Sequence, residues 1–515
     1  MTDPLVLISG LALACIGYNS LWYARFRDSL EDTDFGYASY HGCKAGKEGN
    51  RRVLSEAGDF PSFKTILYYF FYWSYGLSRS PVRAPRILFC IVDTFGVIFF
   101  SLALYLLSRS PSQTIMGTLV FCVLSSAPQL GGLYLQSEFW ALTFTSAALA
   151  LILSNNPFSA FAGGMCLAVN PLSVKPVYLV ESMVLISLAP GDLKAPVGTG
   201  FVACACLILL LYGKDGFLGW IPFHLKDRGM LKYFLKFNRR GSGRRRIRNL
   251  IVFFPVFFTV FPPLIAPALS NPQALPTRLW ALAVAEGLIV VVQFRFFRYH
   301  FVTLLPGWVL LFACAPFSVL HLPGFIPVAY TLSFLFFKSR EGLDRRLNGV
   351  IVHYHTRNCA ARPIAEWIRE NTSPRDRILV VGSTFQIYVH SERLSMYPRL
   401  FFTPEVTYSN PQSIRLMEKT LAGAPPKAIV LDQNCLNWKM VEYLTGSRYR
   451  FAKGFRWNSE FFPIYMKAES VDRKAPENRE LFIECLHVTE KRLLWNPMPR
   501  PGGIDPNPTA FCEST

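Results

Sequence analysis

Apolar residues along this chain are gathered into long blocks set apart by shorter polar breaks, and block length reads them as membrane spans. The first block, Pro4 to Ala24, is long enough for a ~30 Å hydrocarbon core. It has no basic stretch ahead of it and is followed by Arg25 and Arg27, not by a small-residue cleavage site, so it is expected to be a retained span. Further spans are expected at Ile87–Leu107, Thr114–Leu135, Glu138–Leu153, Pro157–Val169, Pro176–Leu188 and Val197–Tyr212. The series continues with Leu250–Leu269, Leu279–Val292, Phe301–Phe317 and Pro323–Phe337. That makes about eleven spans, several of them short. The Pro157 and Pro176 pieces are either two spans or one broken hairpin.

Three stretches break the pattern. Arg25 to Arg86 is a long first loop, charged and then aromatic, and Gly213 to Asn249 is strongly basic. From Lys338 the pattern changes to that of a soluble domain. Ile378-Leu-Val-Val-Gly382 and Ala428-Ile-Val-Leu431 read as buried strands, with a helix over Ser413–Ala422. The expected organisation is a membrane α-helical domain over 1–340, a small extracytoplasmic α/β domain over 341–470, and a loose Pro- and Asn-rich tail over 471–515.

Composition agrees with the pattern. Half of the 515 residues are hydrophobic, 17% are charged and mean hydropathy is +0.27, which excludes disorder, collagen-like repeats and an ordinary cytosolic enzyme. The twelve cysteines form no CxxC pair, and Cys90, Cys122, Cys166, Cys204, Cys206 and Cys314 sit in apolar runs as small hydrophobes. The net charge of +19 calls for an anionic partner, and anionic lipid fits better than nucleic acid because the basic loop has no accompanying nucleic-acid fold module. Orientation is in tension. An odd span count with the N-terminus inside puts the basic loop outside, whereas its cluster from Lys214 to Arg248 belongs in the cytoplasm by the positive-inside rule. Either a short span is miscounted, or the outer loops are basic in order to bind a lipid phosphate.

Candidate chemistry follows the first span. Arg27-Asp28-Ser29-Leu30-Glu31-Asp32-Thr33-Asp34-Phe35-Gly36 places four acids within seven residues at a membrane edge. Such a cluster is a polar loop, or it supplies a general base or metal ligand. Glu138 is a second active-site acid, or an acid favoured by a helix N-terminus. Lys175 lies between two apolar segments, where an unpaired cation costs ~3 kcal/mol at the bilayer centre. Arg298 and His300 either anchor a span end or face a phosphate. His353 and His355 lack a third ligand at a suitable spacing, so no zinc site is assigned. No Walker A or Rossmann glycine motif is present.

These stretches resemble the GT-C membrane glycosyltransferases, which take a sugar from a polyprenyl- or dolichyl-phosphate carrier. Glu31-Asp32-Thr33-Asp34-Phe35-Gly36 is similar to the first-loop motif of protein O-mannosyltransferases (Asp-Glu-x-His-Phe-Gly) and of lipid A aminoarabinose transferases (Asp-Glu-Thr-Arg-Tyr-Ala), with the two acids exchanged and Asp34 in place of the basic residue. Asp59-Phe60-Pro61, Trp73-Ser74-Tyr75-Gly76 and Val82-Arg83-Ala84 resemble the elements that follow, with Phe60 where the family has lysine. Gln136-Ser137-Glu138, Gly163-Gly164 through Lys175-Pro176, Arg298-Tyr299-His300 through Pro306, and Tyr388 through Arg393 continue the resemblance in order.

The resemblance implies a GT-C-like fold and an inverting transfer on the extracytoplasmic face, and the short loops and lack of a signal peptide fit a bacterial inner membrane. The donor would be a polyprenyl-phosphate-linked sugar, and the acceptor a protein, lipid or glycan. One carboxylate would deprotonate the acceptor while cations hold the departing phosphate. Asp32 and Glu31 are the base candidates, with Asp34 and Glu138 beside them, and Lys175, Arg298 and Lys64 are the phosphate candidates. No cofactor is assigned, and a divalent metal is left open. The rival readings are a transporter or flippase of an anionic lipid or solute, and a noncatalytic scaffold docked on anionic lipid.

Overall fold

The computed structural model describes residues 3–26, 39–40, 44, 70, 73–74, 78, 80, 82–127, 130, 137–212, 242–293, 298–333, 361–382, 384–396, 419, 421–431, 449–457 and 460–467. In chain order its helices begin with α1 (Pro4–Phe26), α2 (Arg83–Ser108), α3 (Pro111–Ser125), α4 (Ser137–Leu153) and α5 (Pro157–Val169). They continue with α6 (Leu179–Leu188), α7 (Lys194–Tyr212), α8 (Ser242–Ser270), α9 (Thr277–Gln293), α10 (Leu305–Cys314) and α11 (Ile326–Ser333). Three described stretches, Pro4–Ala24, Arg83–Ser108 and Pro157–Val174, are long and apolar enough to cross a membrane, and seven shorter apolar helices of 10–17 residues accompany them.

Local chemistry sets the helix ends. Ser110 accepts the backbone N–H of Gln113 with Pro111 in the first turn, so α3 starts ahead of the apolar block at Thr114. Asn156 accepts from Phe158 and Ser159 ahead of α5, again with proline at the start. The late spans are more broken than their hydropathy suggests. A 3₁₀ turn at Arg298–Leu304 precedes α10, whose first turn holds Pro306, and a second at Val319–Phe325 contains Pro323. The Pro157 and Pro176 pieces are separate helices. A π-turn at Asn170–Val174 and a 3₁₀ turn at Pro176–Tyr178 join α5 to α6.

Helix α2 packs against α1, α3 and α4, α4 packs against α5, and α5 against α7. Val97, Phe100, Leu104, Phe121 and Leu124 are fully buried between α2 and α3, with Phe100 and Phe121 stacked at 3.9 Å. Leu5, Leu13, Phe158, Leu207, Leu210, Val291 and Val292 face outward, an apolar exterior suited to lipid. Polar side chains tie the first helices together. Asp93 in α2 accepts from Asn19 Nδ2 of α1 at 3.0 Å and from Ser125 Oγ of α3 at 2.7 Å.

The described C-terminal residues form a helix over 361–371 (α12), a short helix α13 (Gln386–Ser391) and a five-stranded sheet. The strands are β1 (Arg377–Val381), β2 (Leu394–Ser395), β3 (Ala428–Leu431), β4 (Tyr449–Trp457) and β5 (Glu460–Lys467), in the order β2-β1-β3-β5-β4. β1 runs parallel to β2 and β3, and β5 runs antiparallel to β3 and β4. β1 and β3 occupy the two apolar runs read as strands. Tyr388 and Arg393 hold this layer together. Tyr388 Oη accepts the N–H of Val380, and burial pushes its phenol up to about 12. Arg393 donates to the carbonyls of Arg369, Ser391 and Thr372 and to Thr372 Oγ1. Tyr40 of the first loop reaches this layer, accepting the N–H of Ser395 at 2.8 Å.

Two glycines set the approach of α5 to α7. A Cβ on Gly164 would strike the Val197 carbonyl, and one on Gly200 would strike that of Phe161. The two backbones therefore touch directly. Gly164→Val is expected to destabilise the protein by about 2–3 kcal/mol. By contrast Gly17→Ala, on α1 with open space around it, is expected to be neutral or to stabilise by up to about 1 kcal/mol. Thermal unfolding of the purified variants in mild detergent checks the contrast.

Candidate active site

Glu138 sits in the first turn of α4 with no exposed surface. A carboxylate removed from water to this degree requires a cation or strong donors. Lys175 provides the cation: its Nζ pairs with Glu138 Oε1, and its side chain keeps about a quarter of its surface open. His300 Nε2 stands 3.7 Å from the same carboxylate oxygen and is buried. Three distant parts of the sequence thus converge: the start of α4, the end of the π-turn, and the 3₁₀ turn before α10.

The π-turn explains how Lys175 arrives there. Its wide loop closes with the Lys175 N–H on the Asn170 carbonyl at 3.0 Å, and Lys175 leaves it in an extended conformation (φ −154°, ψ 137°). Asn170 also ties the turn to α4, since its Nδ2 donates to the Ala141 carbonyl at 3.4 Å and to Thr145 Oγ1 at 3.0 Å. Glu138, Ala141 and Thr145 lie at i, i+3 and i+7, on one face of α4.

Behind the pair lies a polar interior. Thr145 Oγ1 donates to Glu181 Oε1 of α6 at 3.0 Å. Glu286 of α9 accepts the Gly307 N–H at 2.9 and 3.1 Å, and a side chain at Gly307 would collide with that carboxylate. The Tyr178 phenol, buried, is in electrostatic reach of Glu138, Glu181 and Glu286. Among the described residues, no three His, Cys, Asp or Glu side chains converge as a metal site.

Of the residues singled out in the sequence, the structure brings together Glu138 and Lys175, and joins His300 to them. Arg298 lies in the same 3₁₀ turn, with its side chain outside the described residues. Glu31, Asp32, Asp34 and Lys64 lie outside the described residues. Thr145, Glu181 and Glu286 each fall inside an apolar run read as a span, and Asn170 lies in the break between two of them without a role of its own. An acid within such a run was the available signal. Arg83 has a different setting. It lines a cleft of about 350 Å³ with Arg362, Arg369, His390, Glu366 and Glu392, and neither Glu138 nor Lys175 borders that cleft. The Val82–Ala84 and Tyr388–Arg393 motifs therefore meet at the junction of bundle and sheet layer.

No family model and no curated protein sequence matches the chain. Solved structures do. ArnT from Cupriavidus metallidurans, bound to undecaprenyl phosphate, aligns with a TM-score of 0.54 at 13% identity, covering 91% of this chain and 99% of ArnT. The apo structure of the same protein gives the same values. At this identity the likeness is one of fold, and the fold is the one that the order of the motifs led us to expect.

The buried pair makes its own prediction. Lys175→Met strips the ammonium from a fully buried carboxylate and is expected to cost about 3 kcal/mol. Lys175→Met combined with Glu138→Leu should recover most of that loss, read as thermal stability in detergent.

Proposed function

We propose that this chain is a membrane glycosyltransferase that takes a sugar from a polyprenyl-phosphate carrier and passes it to a protein, lipid or glycan on the extracytoplasmic face. The observation that carries the reading is the partly open Lys175, held by buried Glu138 in a chain with the fold of ArnT. ArnT is a GT-C lipid A aminoarabinose transferase, and its solved structure holds undecaprenyl phosphate. The same fold favours this reading over a transporter of an anionic lipid.

In this mechanism the donor's phosphate is both handle and leaving group. Lys175 supplies the point charge that meets the phosphate as negative charge grows on its leaving oxygen. Glu138 holds that ammonium in place, and buried His300 beside them adds a second nitrogen. Arg298, in the same turn as His300, and Lys64 are further phosphate contacts. The acceptor's proton goes to a first-loop carboxylate, Asp32 or Glu31, with Asp34 beside them. Attack from the face opposite the phosphate inverts the anomeric carbon.

Native mass spectrometry of the protein purified in mild detergent tests the donor site. The expected result is a co-purifying polyprenyl phosphate, or its glycosylated form, that is lost in Lys175→Ala. Bulk phospholipid alone, equal in both proteins, would overturn the phosphate assignment. Replacing Glu31, Asp32 and Asp34 together with the corresponding amides should slow transfer by at least about a hundredfold. Transfer that survives the triple replacement would sink the base assignment.

A further inference from the structure

We infer that Glu181 is a positioning residue for the donor site, acting through Thr145 and Asn170 on the π-turn that presents Lys175. The inference rests on the reading of Lys175 as the phosphate contact and adds to it a chain of hydrogen bonds with a fixed direction. Asn170 Nδ2 is a donor, so at 3.0 Å Thr145 Oγ1 must accept from it. The Thr145 hydroxyl proton then points onward to Glu181 Oε1, also at 3.0 Å. Glu181 ends the chain as an acceptor and so fixes the rotor of Thr145. With its proton so directed, Thr145 turns a lone pair to Asn170 and joins the Ala141 carbonyl in holding the amide's NH2 end toward α4.

The order matters because Asn170 opens the π-turn and its carbonyl takes the Lys175 N–H. A π-turn is an uncommon, wide geometry that needs support from its surroundings. Here its first residue is tied to the helix that carries Glu138, through Ala141 and Thr145. The relay therefore sets the spacing between the two partners of the ion pair. Asn170, Thr145 and Glu181 are all buried, so bulk water is not at hand to replace a lost partner. What Glu181 contributes is an acceptor oxygen at a given place, and an amide oxygen can supply the same.

Glu181→Gln and Glu181→Leu separate this role from a charge effect, with undecaprenyl phosphate as the probe. Its affinity is measured on the full-length purified protein, and thermal unfolding is followed in parallel. Glu181→Gln is expected to bind like the unsubstituted protein, whereas Glu181→Leu should weaken binding about tenfold. In a Lys175→Ala background, Glu181→Leu should add nothing further, because the relay acts through that lysine. Equal damage from Gln and Leu would overturn the inference in favour of charge. So would a Leu effect that persists without Lys175, or no Leu effect at all. Should Glu181→Leu fail to fold, Thr145→Val breaks the same relay from its middle and carries the same expectations. Undiminished binding by Lys175→Ala alone would instead fell the phosphate assignment itself, together with everything that rests on it.

Discussion

A carboxylate without water must be given a cation or strong donors, and the arrangement of this bundle follows from meeting that demand at Glu138. The partner, Lys175, lies 37 positions along the chain from Glu138. Bringing it back requires α4 and α5 to pack side by side, and the chain after α5 to widen into a π-turn. The glycine contacts between α5 and α7 hold that region close. A pair of this kind is weak evidence for stability in itself, since burying two charges costs about as much as their attraction returns. What it supplies is placement. An ammonium that is partly open at one end and neutralised at the other is available to an incoming anion without having to be assembled when the anion arrives.

Much of the fold was legible in the blocks of apolar residues and in the punctuation between them. The block expected from Pro157 starts where α5 does, whereas α3 starts at Pro111, ahead of the block expected from Thr114, because Ser110 caps it. The irregular turns were less legible. Hydropathy counts residues and does not report whether a turn closes on the third, fourth or fifth neighbour, so neither the π-turn at Asn170–Val174 nor the 3₁₀ turns at Arg298–Leu304 and Val319–Phe325 shows in the spacing of the spans. The pairing of Glu138 with Lys175 was half visible. Each residue stood out as a charge at the edge of an apolar run, but nothing in their spacing joined them. His300 looked like an interfacial anchor because its neighbours Arg298 and Tyr299 have that character, and its burial beside Glu138 is a tertiary fact. The C-terminal Tyr388–Arg393 element proved to hold structure: its tyrosine braces β1, and its arginine gathers the carbonyls at the end of α12.

The layout divides tasks between two levels of the molecule. The Glu138–Lys175 pair and its relay belong to the bundle, where helices fix side chains to within a rotamer. The cleft of Arg83, Arg362, Arg369 and His390 lies at the junction with the sheet layer, and Tyr40 ties the first loop to that same layer. Elements far apart in sequence thus meet along one seam between bundle and sheet.

The Asp93 node has a consequence for how the protein is made. An acid near the middle of a span is a liability when that span leaves the translocation machinery, costing about 2.5–3.5 kcal/mol on insertion scales. Helix α2 is apolar enough to carry it. Its partner Asn19 belongs to the preceding helix, which is synthesised first, and Ser125 belongs to the next one to emerge. Each newly made segment thus enters a bilayer in which its polar group already has a partner or soon gains one, so the order of synthesis is also an order in which polar groups are satisfied.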